Sequence, residues 1–535
     1  MSLIILIAIL CFVLRALPAV LKITPQGQDQ YYHLFYGDFI RNNKFRYPYK
    51  PEQFLLPGVY DYPPLYHYVL ALFPRSLRER FGLYLGAIID TLNVIVIYYF
   101  IIYLSALPDI AIYISNPGTL ASIACLLFTI SPALLAVGAG PRAYSATPRP
   151  LGELFFSLTF LFGLVFFVES NIYALISASF FASLILLSSK FGAQVLLFFS
   201  LLVAVLTNCY LLLLIPVLGT GIGLIISKGY LARVLYGSLR HSLLYKNVMQ
   251  DSCTFTRARN DLSPIADCIR NGLRGDLKEF AKSFYTILNH NTYVILLIRN
   301  PLLLLLICIM YIKFDDLMSN TVLYFLTCWI AASVVVFIIT SLRPFLFLGE
   351  AERYLEYSLS AQVILLVFFF DLWAVYLPLV IVYCFLFYVA TIIELKFMSD
   401  HIDTSIEENL FSWIKNNLKD RKFLGIPAGG IQHELLYKTG NCIWQVPANL
   451  SRVSEADYLQ LYPIRYPYPS DSLNDIVNQY DIHYLLVNEQ DVKETLLSGI
   501  HYDFTQFKKI FGNSKYSIYK TTKSSETRTT ELMYR

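Results

Sequence analysis

The sequence predicts a polytopic α-helical membrane protein with about eleven transmembrane helices, followed by a small C-terminal α/β soluble domain. Three observations predict it. Of 535 residues, 56% are hydrophobic and only 15% are charged, and the mean hydropathy is +0.53, too apolar for an ordinary globule. Apolar runs recur from the first residue to about residue 396, and they are continuous, not alternating, which excludes a closed barrel. Residues 397–535 then turn mixed and polar.

A helix needs roughly 20 apolar residues to cross the hydrocarbon core. The candidate runs are 2–23, 82–107, 118–138, 151–168, 172–188, 191–206, 208–227, 294–312, 320–341, 359–375 and 377–395. The first lacks a basic leader and a small-residue cleavage site and contains Arg15, so it reads as a retained span. Six cysteines (Cys11, Cys125, Cys209, Cys308, Cys328 and Cys384) lie inside apolar runs without metal-ligand spacing and act as small hydrophobes. Cys253, Cys268 and Cys442 lie in polar segments, where pairing among them stays open.

Three polar insertions interrupt the runs: residues 24–80, residues 228–293 and the segment from Ser341 to Ser358. Counting eleven spans from a cytoplasmic N-terminus brings all three, residues 139–150 and the C-terminal domain to the outer face. The 228–293 insertion opposes that count. It carries 10 Lys/Arg against 5 Asp/Glu, and the positive-inside rule draws such loops to the cytoplasm, though less strongly at this length. Its Arg240, His241, Arg257, Arg259, Arg270 and Arg274 fall on expected amphipathic helices suited to anionic lipid or to a solvated face. Beyond residue 397, β-like runs (422–427, 482–487, 516–519) alternate with helical ones such as Leu473 to Gln479, and the tail 521–530 reads as disordered.

The chemistry-bearing residues gather at span ends. Asp29 and His33 follow the first run closely and, four residues apart on a helix, share a face. A carboxylate there can take a proton from an attacking hydroxyl, while a histidine steadies phosphate oxygens. A Tyr62-Pro63-Pro64-Leu65-Tyr66-His67-Tyr68 stretch, preceded by Asp61, leads into a short apolar helix expected over Val69 to Phe73, suited to the interface plane.

An outer-loop Asp followed by Tyr31-Tyr32-His33, a polar spacer and then Asp61-Tyr62-Pro63-Pro64-Leu65 resembles the GT-C glycosyltransferases. That superfamily includes the protein O-mannosyltransferases, the aminoarabinose transferases and the oligosaccharyltransferase catalytic subunits. The resemblance covers the membrane portion and, more loosely, the C-terminal domain. It implies a cell-envelope enzyme that moves a sugar from a polyprenyl-phosphate-linked donor to an extracytoplasmic protein, lipid or glycan. Asp29 is then the catalytic carboxylate, assisted by His33, with Asp61, Tyr62 and His67 orienting substrate.

The second outer segment, Gly138 to Glu153, carries Arg142 and Arg149, whose planar forks suit phosphate oxygens or, alternatively, lipid headgroups. It lacks the acidic pair with which oligosaccharyltransferases hold a metal, so no cofactor is required and no metal ligand is assigned. The third cluster, Arg343 to Glu356, offers Arg353 to the donor phosphate and Glu350 and Glu352 to orient substrate, or else forms an internally paired loop. The Trp-Trp-Asp acceptor signature of the oligosaccharyltransferases is missing. In the C-terminal domain His433, Tyr437, Trp444 and Tyr458 to Tyr468 suit either stacking on sugar or a core, and none is assigned. No P-loop, dinucleotide fingerprint, Gly-x-Ser-x-Gly or His-Glu-x-x-His pattern occurs, and no basic stripe calls for nucleic acid. A secondary transporter or lipid-linked-sugar flippase is the alternative; it calls for polar residues at the membrane midplane.

Overall fold

A computed structural model describes residues 2–23, 29–47, 49–111, 113, 116–134, 144–249, 263–400, 403–429, 431–448, 453–463, 466–496 and 500–521. The expectations for Arg142, Arg257, Arg259, Cys253 and the 522–535 tail lie outside these residues. Each apolar run of the sequence forms a helix or a helix pair. Among the described residues five helices are long and apolar enough to cross a membrane: α1 (Leu3–Val20), α4 (Arg75–Ser105), α6 (Arg149–Glu169), α15 (Thr321–Ser341) and α17 (Phe370–Asp400). A sixth span is made if the bent pair α13 (Thr292–Arg299) and α14 (Pro301–Ile312) is counted as one. Five shorter apolar helices lie among the described residues: α5 (Pro117–Ile130), α7 (Ile172–Ser188), α8 (Lys190–Leu206), α9 (Tyr210–Ile226) and α16 (Leu359–Phe368). The chain is a membrane protein.

Local chemistry explains the breaks. The α13–α14 pair bends by 81° at Asn300, which precedes Pro301. Proline removes a helix donor and pushes the residue before it out of the α region. Between α7 and α8 the Ser189 hydroxyl accepts from the Gly192 amide at 3.0 Å, so one helix stops and the next is capped within one residue. Deep in the bundle Arg15 of α1 meets Asp90 of α4 at 3.0 Å, both almost fully buried. A charge in the apolar layer persists only when paired in this way.

The first outer insertion folds as α2 (Asp29–Asn42), an irregular strap and α3 (Leu65–Ala71). Helix α3 begins four residues before the expected Val69, because Pro63-Pro64 sets its start, and α4 begins at Arg75, seven residues before the apolar run. Its last carbonyls, orphaned at a helix end, are taken by two arginines. Arg41 Nη1 donates to Ala71 O (3.0 Å) and Leu72 O (3.1 Å), and Arg78 donates to Leu70 O (2.9 Å) and Phe73 O (2.7 Å) while pairing with Asp38. These bonds fix α2, α3 and the start of α4 as one unit.

The basic insertion forms α10 (Tyr230–Leu244) and, after residues outside the description, α11 (Ser263–Arg274) and α12 (Leu277–His290). The C-terminal region carries one five-stranded sheet in the order β2-β1-β3-β5-β4, from β1 (Lys422–Ile426), β2 (Cys442–Ile443), β3 (Tyr484–Asn488), β4 (Lys508–Gly512) and β5 (Tyr516–Lys520). β1 pairs in parallel with β2 and β3, and β5 pairs antiparallel with β3 and β4. Strands β1 and β3 are buried along almost their whole length, whereas edge strand β4 is half-exposed and carries Lys508 and Lys509, a charge pattern that discourages further pairing. At the opposite edge the outer strap adds itself beside β2: Leu55 N donates to Ile443 O (3.0 Å), Ile443 N to Gln53 O (2.8 Å) and Leu56 N to Gln445 O (3.2 Å). That seam places the first outer insertion against the C-terminal sheet. The cysteines of the described residues, Cys268 and Cys442 among them, are free thiols.

Candidate active site

A cavity of about 340 Å³ opens at this seam, a volume within the range of small-molecule sites. Three stretches distant in sequence line it. Helix α2 supplies Asp29, Tyr32 and His33, and the strap supplies Tyr62. His241 comes from α10, and the C-terminal region contributes His433, Gln445, Val446, Ala448, Tyr462 and Tyr466. Asp29 sits in the first turn of α2, where a carboxylate is favoured by the helix dipole. It is exposed, it is the one carboxylate among the described lining residues, and the expected shared face with His33 is present.

The histidines are not acids in waiting. Burial pushes His33 down to about 4, with Asp29 pulling the other way. Burial likewise lowers His433, again opposed by Asp29, and holds His241 and His67 well below the ordinary imidazole range. Desolvation penalises the imidazolium form, so all four rings are neutral near pH 7. Burial raises the Tyr62 phenol, Asp29 adding to the rise and Arg149 opposing it, which keeps its hydroxyl protonated. The rings pack edge to face, with Tyr32 at 5.5 Å from His433 and 5.8 Å from Tyr62. His67 does not line the cavity. It stands behind His33, its Nε2 at 2.8 Å from His33 Nδ1, and its Nδ1 meets the Tyr60 hydroxyl.

Charged residues continue from the cavity into the bundle. Arg149 opens α6 and lies in the electrostatic neighbourhood of Tyr62 and of Tyr357, as does Glu153 one turn on for Tyr357. Asp61 is buried rather than lining the cavity, and it presses on α10: a Cβ at Gly237 would fall 2.1 Å from its Oδ2. Its charge acts on Lys190, the first residue of α8, which in turn acts on His241.

The third cluster divides. Glu350 pairs with Arg353 at 2.8 Å, and the Arg353 guanidinium lies 5.5 Å from the Phe191 ring, next to Lys190. Glu352 is buried on another side of the same turn, with Glu356, in the field of Arg299. Arg142 lies outside the described residues. Sequence reasoning left Lys190, His241, His433 and Gln445 without a role. Lys190 carries a signal, a lone cation between two apolar runs; His433 and Gln445 carry none before the sheet folds. Trp444, Tyr458 and Tyr437 are core residues. Among the described residues no group of three or more His, Cys, Asp or Glu is placed to hold a metal ion.

No protein-family model and no curated protein sequence matches the chain. Solved structures do. The archaeal oligosaccharyltransferase AglB from Archaeoglobus fulgidus, in complex with an inhibitory peptide and a dolichol-phosphate, is 12% identical with a TM-score of 0.55, over 98% of this chain and 75% of that one. ArnT from Cupriavidus metallidurans bound to undecaprenyl phosphate is 11% identical with a TM-score of 0.53, over 97% and 98%. The Archaeoglobus fulgidus oligosaccharyltransferase tethered with an acceptor peptide gives 13% and 0.53, over 91% and 68%. The chain therefore has the fold of the GT-C glycosyltransferases, as the first-loop motifs imply.

Proposed function

We propose that this protein transfers a sugar from a polyprenyl-phosphate-linked donor to an acceptor on the extracytoplasmic face, with Asp29 as the general base. One observation carries the reading: a single carboxylate among the described lining residues, with neutral imidazoles and phenols around it, lines a half-open cavity just beyond the first apolar helix. The fold adds support, since two of the structures it resembles hold a dolichol-phosphate and an undecaprenyl phosphate.

In the reaction, an acceptor oxygen or nitrogen forms a bond to the anomeric carbon and loses its proton to Asp29. The bond from that carbon to the phosphate oxygen breaks, and the polyprenyl phosphate leaves with the electron pair. Arg149 and Lys190 open two apolar helices and act electrostatically on the cavity-lining Tyr62 and His241, which supports a role for them in neutralising a phosphate that arrives from the lipid side; Arg142, by sequence, belongs with them. Arg353, held by Glu350, packs on Phe191, the residue that follows Lys190. Asp61 acts on Lys190 through its charge. No cofactor is needed for this chemistry, because the phosphate is already a good leaving group and positioning supplies most of the rate.

The test is transfer from a polyprenyl-phosphate sugar to envelope acceptors by Asp29→Asn and Asp29→Ala proteins reconstituted in bilayers. A drop of about 10²- to 10⁴-fold is expected. Wild-type rates in either variant, with normal insertion, would overturn the assignment.

A further inference from the structure

Behind the cavity wall lies a three-membered hydrogen-bonded chain that the reaction above leaves unused: Tyr60, His67 and His33. Tyr60 and His67 are fully buried, and His33 is 5% exposed. A neutral imidazole has one N–H and one lone pair, so the proton choice at one link fixes every other.

Two arrangements are possible. In the first, the Tyr60 hydroxyl donates to His67 Nδ1, His67 Nε2–H donates to His33 Nδ1, and His33 keeps its hydrogen on Nε2, the nitrogen left for the cavity. In the second, every arrow reverses and His33 presents a lone pair instead. The second leaves the Tyr60 hydrogen without an acceptor, because among the described residues His67 is the sole side-chain hydrogen-bond partner of that buried hydroxyl. It also leaves His33 presenting a lone pair in the field of the Asp29 carboxylate, whose charge acts on that ring. The first arrangement gives the Tyr60 hydroxyl and the His67 N–H an acceptor each and leaves the His33 Nε2–H for the cavity.

We infer that Tyr60 and His67 are positioning residues that lock His33 as a neutral Nε2–H donor directed into the cavity at an anionic oxygen. Resting on the reading above, that oxygen is a phosphate oxygen of the polyprenyl donor. His33 is then a donor and not a second base. Among the described residues, Asp29 and Tyr32 (ring 5.4 Å away) face it from its own helix, His67 and Tyr66 (5.6 Å) from α3, Tyr62 (5.7 Å) from the strap and His433 from the C-terminal region.

The experiment is nitrogen-15 NMR of the full chain, labelled only at histidine and held in lipid nanodiscs, with His33 and His67 signals assigned by substitution. Expected for the wild type is a pyridine-like Nδ1 and a pyrrole-like Nε2 at His33. In Tyr60→Phe both tautomers should appear together. His67→Gln, whose amide can still donate to His33, keeps the wild-type form, and His67→Leu loses it. Binding of undecaprenyl phosphate should follow, about tenfold weaker in His67→Leu and near wild type in His67→Gln. A protonated His33 Nδ1 in the wild type, or a tautomer ratio unmoved by Tyr60→Phe, would overturn the inference. If the tautomers are as stated but wild-type protein binds no polyprenyl phosphate, the relay stands and the proposed substrate falls.

Discussion

The segments 29–67 and 343–356 are both dense in ionisable side chains beside an apolar helix, yet they resolve oppositely. In the first, Arg78 and Arg41 are consumed by carbonyls and by Asp38, which frees Asp29 to face a cavity among neutral rings. In the second, Glu350 and Arg353 take each other and Glu352 turns toward Arg299. A charged loop becomes a candidate site when its own partners are supplied by backbone ends and its remaining group is left facing space.

The largest effect that sharpens this contrast pairs Asp29→Asn with Glu352→Gln. Asp29→Asn lowers transfer by about 10²- to 10⁴-fold with unchanged unfolding temperature; Glu352→Gln lowers the unfolding temperature and leaves the rate per folded molecule intact. Equal loss of rate in both, at equal stability, would erase the distinction. Next comes Arg78→Ala, which leaves Asp38 with Arg75 alone at 3.3 Å and removes two donors from the end of α3; it should cost about 1–3 kcal/mol, read by thermal unfolding in detergent. Gly237→Ala follows. Helix propensity favours alanine by about 1 kcal/mol, but the new methyl carbon would lie 2.1 Å from Asp61 Oδ2, so overpacking of about 1–3 kcal/mol decides the sign. A stabilised Gly237→Ala protein would show that Asp61 is not held there.

The last effect is in pH. The folded state keeps His33 neutral down to about 4, whereas an unfolded chain protonates it near 6.5. Between those values the unfolded state binds more protons, so stability is fully present above about pH 6.5 and is lost as pH falls toward 4. His33→Gln should flatten part of that slope in unfolding measured from pH 7 to 4.5; an unchanged slope would place the ring in water.

Much of this was legible in the residues. Asp29 and His33 share a face because four residues are one helical turn, and β1, β3 and β5 follow from apolar runs of strand length. Helix α3 starts ahead of its apolar pattern because Pro63-Pro64 sets its first turn, and the two-residue β2 has no pattern to read.

What the sequence by itself determined is the helix-rich membrane architecture, the position of Asp29 just after the first apolar helix, and the local pairings within one or two turns, since these depend on periodicity over a few neighbours. Only the tertiary structure decided that His241 and His433 join Asp29, that Glu350 and Glu352 part company, and that the strap at Gln53 to Leu56 closes the sheet edge. Those contacts join residues as far apart as Tyr36 and Pro447, 411 positions along the chain, and no local pattern carries such pairings: they exist because the outer insertion and the C-terminal sheet must satisfy each other's exposed backbone and bury each other's rings.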